Sequence, residues 1–126
     1  MKQSANPWIE IAAEVAAFSL LTASIVLLWR DNLLLLAVLL VEASATLRLW
    51  HDRVDVSSFV VLGSAGLFAE VVFVHFGVWH YANPTLLGVP LWFPVAFGTA
   101  GLIGQRLART SAEIWDRITI PQRRKG

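Results

Sequence analysis

Three carboxylates, Glu14, Glu42 and Glu70, each lie inside a stretch that otherwise reads as a membrane-spanning helix. A charge deep in a bilayer is expensive, so each is expected to face protein, water or a partner rather than lipid. At about 1.5 Å of rise per residue, Glu14 and Glu42 come about 9 and 12 Å in from one membrane surface. Glu70 falls about 21 Å in, near the opposite surface. The first two are therefore expected to be neighbours in a polar interior, where two carboxylates in a dry site cannot both stay ionised. The bland alternative is that each is hydrogen-bonded to a Ser, a Thr or the backbone of the next helix.

A second group of candidates lies between residues 76 and 94, a connection with no Lys, Arg, Asp or Glu. Gly77 and Gly88 allow unusual backbone angles, while Pro84, Pro90 and Pro94 fix turns and supply a helix start. Trp79, Tyr81 and Trp92 are amphipathic rings suited to the headgroup level. The expected picture is a folded, non-helical aromatic lid on the external side, above Glu70 and His75. The expected ligand-binding residues are Glu70, His75, Trp79, His80, Tyr81, Asn83 and Trp92. No catalytic, metal or cofactor site is assigned. His75 and His80 are five apart and do not share a helix face, and the chain has no Cys. Asp52 and Asp55 read as turn chemistry beside His51. Ser57 and Ser58 lack a His–Asp pairing that would make either a nucleophile.

The elements that must hold these residues follow from composition. Of 126 residues 56% are hydrophobic and only 15% charged, too apolar for an ordinary soluble domain. Six Trp and seven Phe suit aromatic belts at two bilayer surfaces. Four stretches qualify as spans, at 8–29, 32–50, 56–76 and 91–107, and short polar turns join the first three. They predict an all-α, integral membrane four-helix up-down bundle, a transmembrane domain over 1–109, followed by an amphipathic basic tail over 110–126. Glu10 and Glu14 interrupt any signal-peptide core, so the first helix is expected to stay in the mature protein. Lys2, Arg48, Arg53, Arg106, Arg109, Arg117, Arg123, Arg124 and Lys125 fall on one side and only Arg30 on the other. That asymmetry places both termini in the cytoplasm, with a bacterial inner (plasma) membrane as the expected location. A net charge of +1 with this distribution argues for topology, not a nucleic-acid partner.

Finer patterns give the packing. Gly63, Gly66, Glu70 and Gly77 share a face of the third span, which is read as the surface where a neighbour comes close. Gly98, Gly101 and Gly104, with Ala100, mark a similar face on the fourth, packing inside the bundle or between protomers of a homo-oligomer. In the tail, Thr110-Ser111-Ala112-Glu113 matches a capping box opening a new helix that Pro121 stops.

The stretch from Glu70 to Ala108 resembles the last two helices of the Insig family of sterol-sensing membrane proteins. The matching elements are Gly77-Val78-Trp79-His80-Tyr81, Pro84, Trp92-x-Pro94 and Gly104-Gln105-Arg106-Leu107-Ala108, with Trp50-His51-Asp52-Arg53 as a comparable loop. That family has six spans against four here, and Glu70 stands where no acid is expected. The chain is equally similar to small uncharacterised bacterial four-span membrane proteins with the same Trp-x-Tyr and Pro-x-Trp-x-Pro pattern. The Insig resemblance implies a lipid or sterol-like ligand between helices.

The sequence leads first to a polytopic membrane protein holding a lipid or isoprenoid/sterol-like ligand, with membrane lipids as partners. A second reading is a membrane enzyme acting on an isoprenoid lipid, with Glu70 as general acid and Glu42 or His75 as base. A third is an oligomeric proton-coupled transporter using Glu14, Glu42 and Glu70 as a relay.

Overall fold

The computed structural model describes residues 6–120, which form four helices and no named strand. These are α1 (Pro7–Leu28), α2 (Asn32–Leu49), α3 (Arg53–His75) and α4 (Phe93–Thr119). The local chemistry explains each start. Asn6 accepts from the Trp8 N–H, with Pro7 in the first turn of α1. Asp31 accepts from the Leu34 N–H to open α2. Asp52 and Asp55 cap α3 reciprocally, each side chain accepting from the other's backbone N–H.

The chain is an all-α, integral membrane four-helix bundle. α1, α2 and α3 are each long and apolar enough to cross a bilayer. Their large side chains point outward: Leu27, Leu33, Val41 and Phe68 are all at least 70% exposed, as lipid-facing residues should be. α4 inverts the pattern. It is the least apolar helix, yet it packs against each of the other three. Leu102 and Ile103 on its inner face are fully buried against Trp50, and Ala96 and Phe93 join Leu21, Leu35 and Leu39 in a second cluster.

The α3–α4 seam depends on glycine. A Cβ on Gly98 would stand 2.8 Å from the Phe59 carbonyl oxygen, and one on Gly63 would stand 3.0 Å from the Pro94 carbonyl oxygen. Gly66 makes room for the Phe97 ring, and Gly101 for Leu62. The small residues expected on the third and fourth spans thus meet within the bundle. Gly77, beyond the end of α3, and Gly104 do not take part, and a Cβ at either would touch nothing.

α4 also runs further than its expected end at residue 107. No separate helix starts at Thr110, because Leu107, Ala108 and Arg109 favour helix and no Gly or Pro interrupts them. Thr110 is buried in the middle of α4 and gives its hydroxyl to Glu14 instead of capping. Glu113 pairs with Arg117 one turn on, at 2.9 Å. Lys2, Pro121, Arg123, Arg124 and Lys125 lie outside the described residues.

The seam makes a clear prediction. Gly98→Leu should lower stability in detergent by about 1–3 kcal/mol or more through overpacking against backbone. Gly104→Ala should leave stability unchanged or raise it slightly, since only helix propensity changes. Denaturant unfolding of both variants in the same micelle checks this, and equal effects would refute the assigned seam.

Candidate functional site

The site is built where α3 ends. Phe76 closes the helix, Gly77 takes a left-handed conformation (φ +73°), and two reversed hydrogen bonds finish the turn. They run from the Gly77 N–H to the Val74 carbonyl (3.1 Å) and from the Val78 N–H to the Phe73 carbonyl (2.9 Å). This Schellman arrangement folds the chain back across the helix it has just left. Trp79 and Tyr81 are thereby returned over Glu70, one helical turn and a half earlier in α3.

Both rings donate to the same carboxylate oxygen. Trp79 Nε1–H and Tyr81 Oη–H lie 2.9 and 2.8 Å from Glu70 Oε2. Two donors on one carboxylate oxygen fix the loop on α3. Burial, and then the Glu70 carboxylate, hold the Tyr81 phenol well above its ordinary range, so it remains a donor. Trp79 also packs edge-on against Phe73, with centroids 5.1 Å apart.

The rest of the loop is tied to the start of α2. Asn32 donates to the Asn83 carbonyl (2.7 Å) and Thr85 Oγ1 (3.0 Å), and accepts from Trp92 Nε1–H (3.1 Å). Asn83 in turn donates to the Trp29 carbonyl at 3.0 Å. A tight turn at Leu86–Val89 completes the loop, with Leu87 and Gly88 both at positive φ (52° and 79°). Two positive φ values suit a primed hairpin turn, and Gly88 also lies where a Cβ would strike Val74.

Beneath Tyr81 and Trp92 is a cavity of about 240 Å³ between α1 and α4. Phe18, Leu21, Thr22 and Ile25 line it from α1, and Phe93, Ala96, Phe97 and Ala100 from α4. Each of its polar groups already donates to a partner elsewhere. Tyr81 bonds Glu70, Trp92 bonds Asn32, and the Thr22 hydroxyl donates to the Phe18 carbonyl. The wall is therefore mostly carbon.

The expected ligand residues divide into three sets. Glu70, Trp79 and Tyr81 come together, while Asn83 and Trp92 meet on Asn32, a residue the sequence reading left in a turn. His75 and His80 join neither set. His75 is exposed and edge-on to Phe76, and it lines a second, larger pocket of about 420 Å³ with Val71, Val74 and Leu87. His80 is exposed and makes no hydrogen bond among the described residues.

Glu14 and Glu42 do not meet. Glu14 is fully buried and accepts from Thr110 of α4 (2.8 Å), whereas Glu42 accepts from Ser24 of α1. Ser24 is ten residues above Glu14, about 15 Å along the helix. The expected pairing fails because depth was counted from span ends, as if α1 and α2 ended in one plane. Each acid is bound to a hydroxyl of a neighbouring helix, as in the bland alternative.

The strongest polar cluster lies at the opposite end of the bundle, in residues read only as a turn. Asp55 is fully buried. Gln105 Nε2 (2.6 Å), Arg106 (2.9 Å) and Arg109 (3.2 Å) all reach it from α4. Arg106 also lies over the Trp50 ring at 5.2 Å. Arg109 lies three and four residues after Arg106 and Gln105, opposite an Asp-x-x-Asp start, and that spacing was the available signal. Among the described residues, no three His, Asp or Glu side chains are grouped as metal ligands would be.

Two outcomes follow. Asp55→Asn removes the buried charge shared by Arg106 and Arg109, leaves them only Asp52 at 3.9 and 3.6 Å and Glu10, and should cost about 1–3 kcal/mol in detergent unfolding. The Asp52 carboxyl is held below its ordinary value by the Asp55 backbone N–H, against burial, with help from Arg109 and Arg106. Its stabilisation is complete above the ordinary value of 3.8 and is lost as pH falls through the lowered one. Asp52→Asn should therefore flatten the loss of stability on acidification below about pH 4. An unchanged acid limb would exclude this role.

Comparison with protein families, characterised proteins and solved structures finds no match, so the site's own chemistry is the guide to function.

Proposed function

We propose that this membrane protein holds a lipid, isoprenoid or sterol-like molecule between its helices. The observation that carries the reading is the mostly apolar cavity between α1 and α4, roofed by Tyr81 and Trp92. A pocket lined mostly by carbon, opening on helices that lipid surrounds, selects hydrocarbon over a water-soluble ligand. Glu70 is a positioning residue in this account, because it holds the Tyr81 roof. Its Oε1 accepts no hydrogen bond among the described residues, which leaves it for a polar headgroup at the rim. The resemblance of 70–108 to the Insig family points to the same ligand class. The excess of Lys and Arg on the side of the termini gives the orientation, with the loop facing outward.

The geometry favours neither alternative. An acid at Glu70 would need Glu42 or His75 as its base. Glu42 is bound to Ser24, and His75 is exposed and edge-on to Phe76. A relay through Glu14, Glu42 and Glu70 would have to link carboxylates that each bind a different group.

Lipid co-purifying with the protein in mild detergent, weighed intact by native mass spectrometry, tests the proposal. Wild type should retain one lipid at fixed stoichiometry, and Tyr81→Ala and Glu70→Ala should lose it while remaining folded. Retention unchanged in both variants would contradict the proposal.

A further inference from the structure

The two fully buried acids of the bundle are not equally served. Asp55 receives donors from Gln105, Arg106 and Arg109 of α4 and from the Asp52 backbone N–H. Glu14 is buried as deeply, yet only the Thr110 hydroxyl reaches it, on Oε1 at 2.8 Å. Its Oε2 is sealed from solvent and meets no donor. Among the described residues no ion pair involves Glu14.

The charged groups that act on Glu14 are Glu10 of α1 and Arg106 and Arg109 of α4. Both cations are committed elsewhere. Arg106 places one nitrogen on Asp55 (2.9 Å) and turns another toward Glu10 (3.7 Å), with its guanidinium over the Trp50 ring. Even its remaining Nε–H meets no acceptor. Arg109 serves Asp55 and Asp52, at 3.2 and 3.6 Å. Glu10, one turn from Glu14 on the same face, also has a buried Oε2 that accepts no hydrogen bond. The junction of α1 and α4 thus has acceptors left over and no donor to meet them.

From this imbalance we infer that Glu14 is a proton-binding site, a carboxylic acid at neutral pH with Thr110 on Oε1 and the proton on Oε2. An ionised carboxylate only accepts, at about four lone-pair sites, and one neutral hydroxyl is a poor return for burying its charge. The protonated group is neutral, and one of its oxygens becomes the missing donor. A proton is also the one ligand that a sealed oxygen can take without the helices moving apart. Its loss would put a bare charge on the α1–α4 seam. The inference is independent of the lipid-binding reading.

Infrared spectroscopy of the full chain at neutral pH tests this, in a maltoside detergent that has no carbonyl group of its own. Wild type should show the C=O stretch of a protonated carboxyl group. Glu14→Gln, the neutral isostere, should remove that band, and Glu42→Gln should leave it in place. Thr110→Val should move it to higher frequency, because the carbonyl loses its hydrogen bond. No such band in wild type, or a band that neither Glu14→Gln nor Thr110→Val alters, would overturn the inference. Should Glu14→Gln fail to fold, the Thr110→Val shift decides alone.

Discussion

Asp55 sets the register of the molecule. It is sealed from solvent at the first turn of α3, and three side chains of α4 converge on it. A fully buried carboxylate tolerates little displacement from the α4 donors that reach it, because losing them leaves its own charge unpaired. The height of α3 on α4 is thus fixed at one end. Gly63 then meets Gly98, and Phe97 fits over Gly66. Fifteen residues on, about 22 Å along α3, Glu70 emerges where Trp79 and Tyr81 can reach it. The roof of the cavity is held in place by contacts that begin at the far end of the bundle.

α4 makes this possible because it is not a typical span. A helix whose inner face carries Gly98, Thr99, Gly101, Gln105, Arg106 and Thr110 would be a poor one in isolation. Here α1, α2 and α3 shield it, and in return it supplies hydrogen-bond partners for Asp55 and Glu14 that hydrocarbon cannot. The three outer helices keep their apolar surfaces for lipid. Where α1 rests against alanines of α4, the packing stays incomplete and the cavity remains.

Much of this plan is legible in the amino-acid sequence. Hydropathy marks the three outer helices, the glycines at 63, 66, 98 and 101 mark the seam, and the uncharged aromatic stretch marks the loop. Glu70 beneath the aromatic loop is also readable, since an acid near the end of a span needs donors and the loop supplies them, although His75 and His80 stand as equal candidates for that part. The Asp55 cluster is not, because an Asp-x-x-Asp start reads equally as a solvated cap until α4 is laid against it. The hub at Asn32 has no local signature, as its partners lie more than fifty residues away. The Thr110 motif misleads for a related reason: the same residue types that cap a helix can serve a buried Glu from inside one. Vertical offsets between helices depend on tertiary contacts, which is why Glu14 and Glu42 part company.

The central claim is that the space between α1 and α4, under a Tyr81 roof fixed by Glu70, belongs to lipid. A density map of the protein in a lipid nanodisc at side-chain resolution tests it most directly. The account predicts lipid density along Ala96 and Ala100, ending below Tyr81, with Tyr81 and Trp79 both on Glu70. A cavity closed by Phe18 or Phe97 turned inward, with no density between the helices, would contradict it.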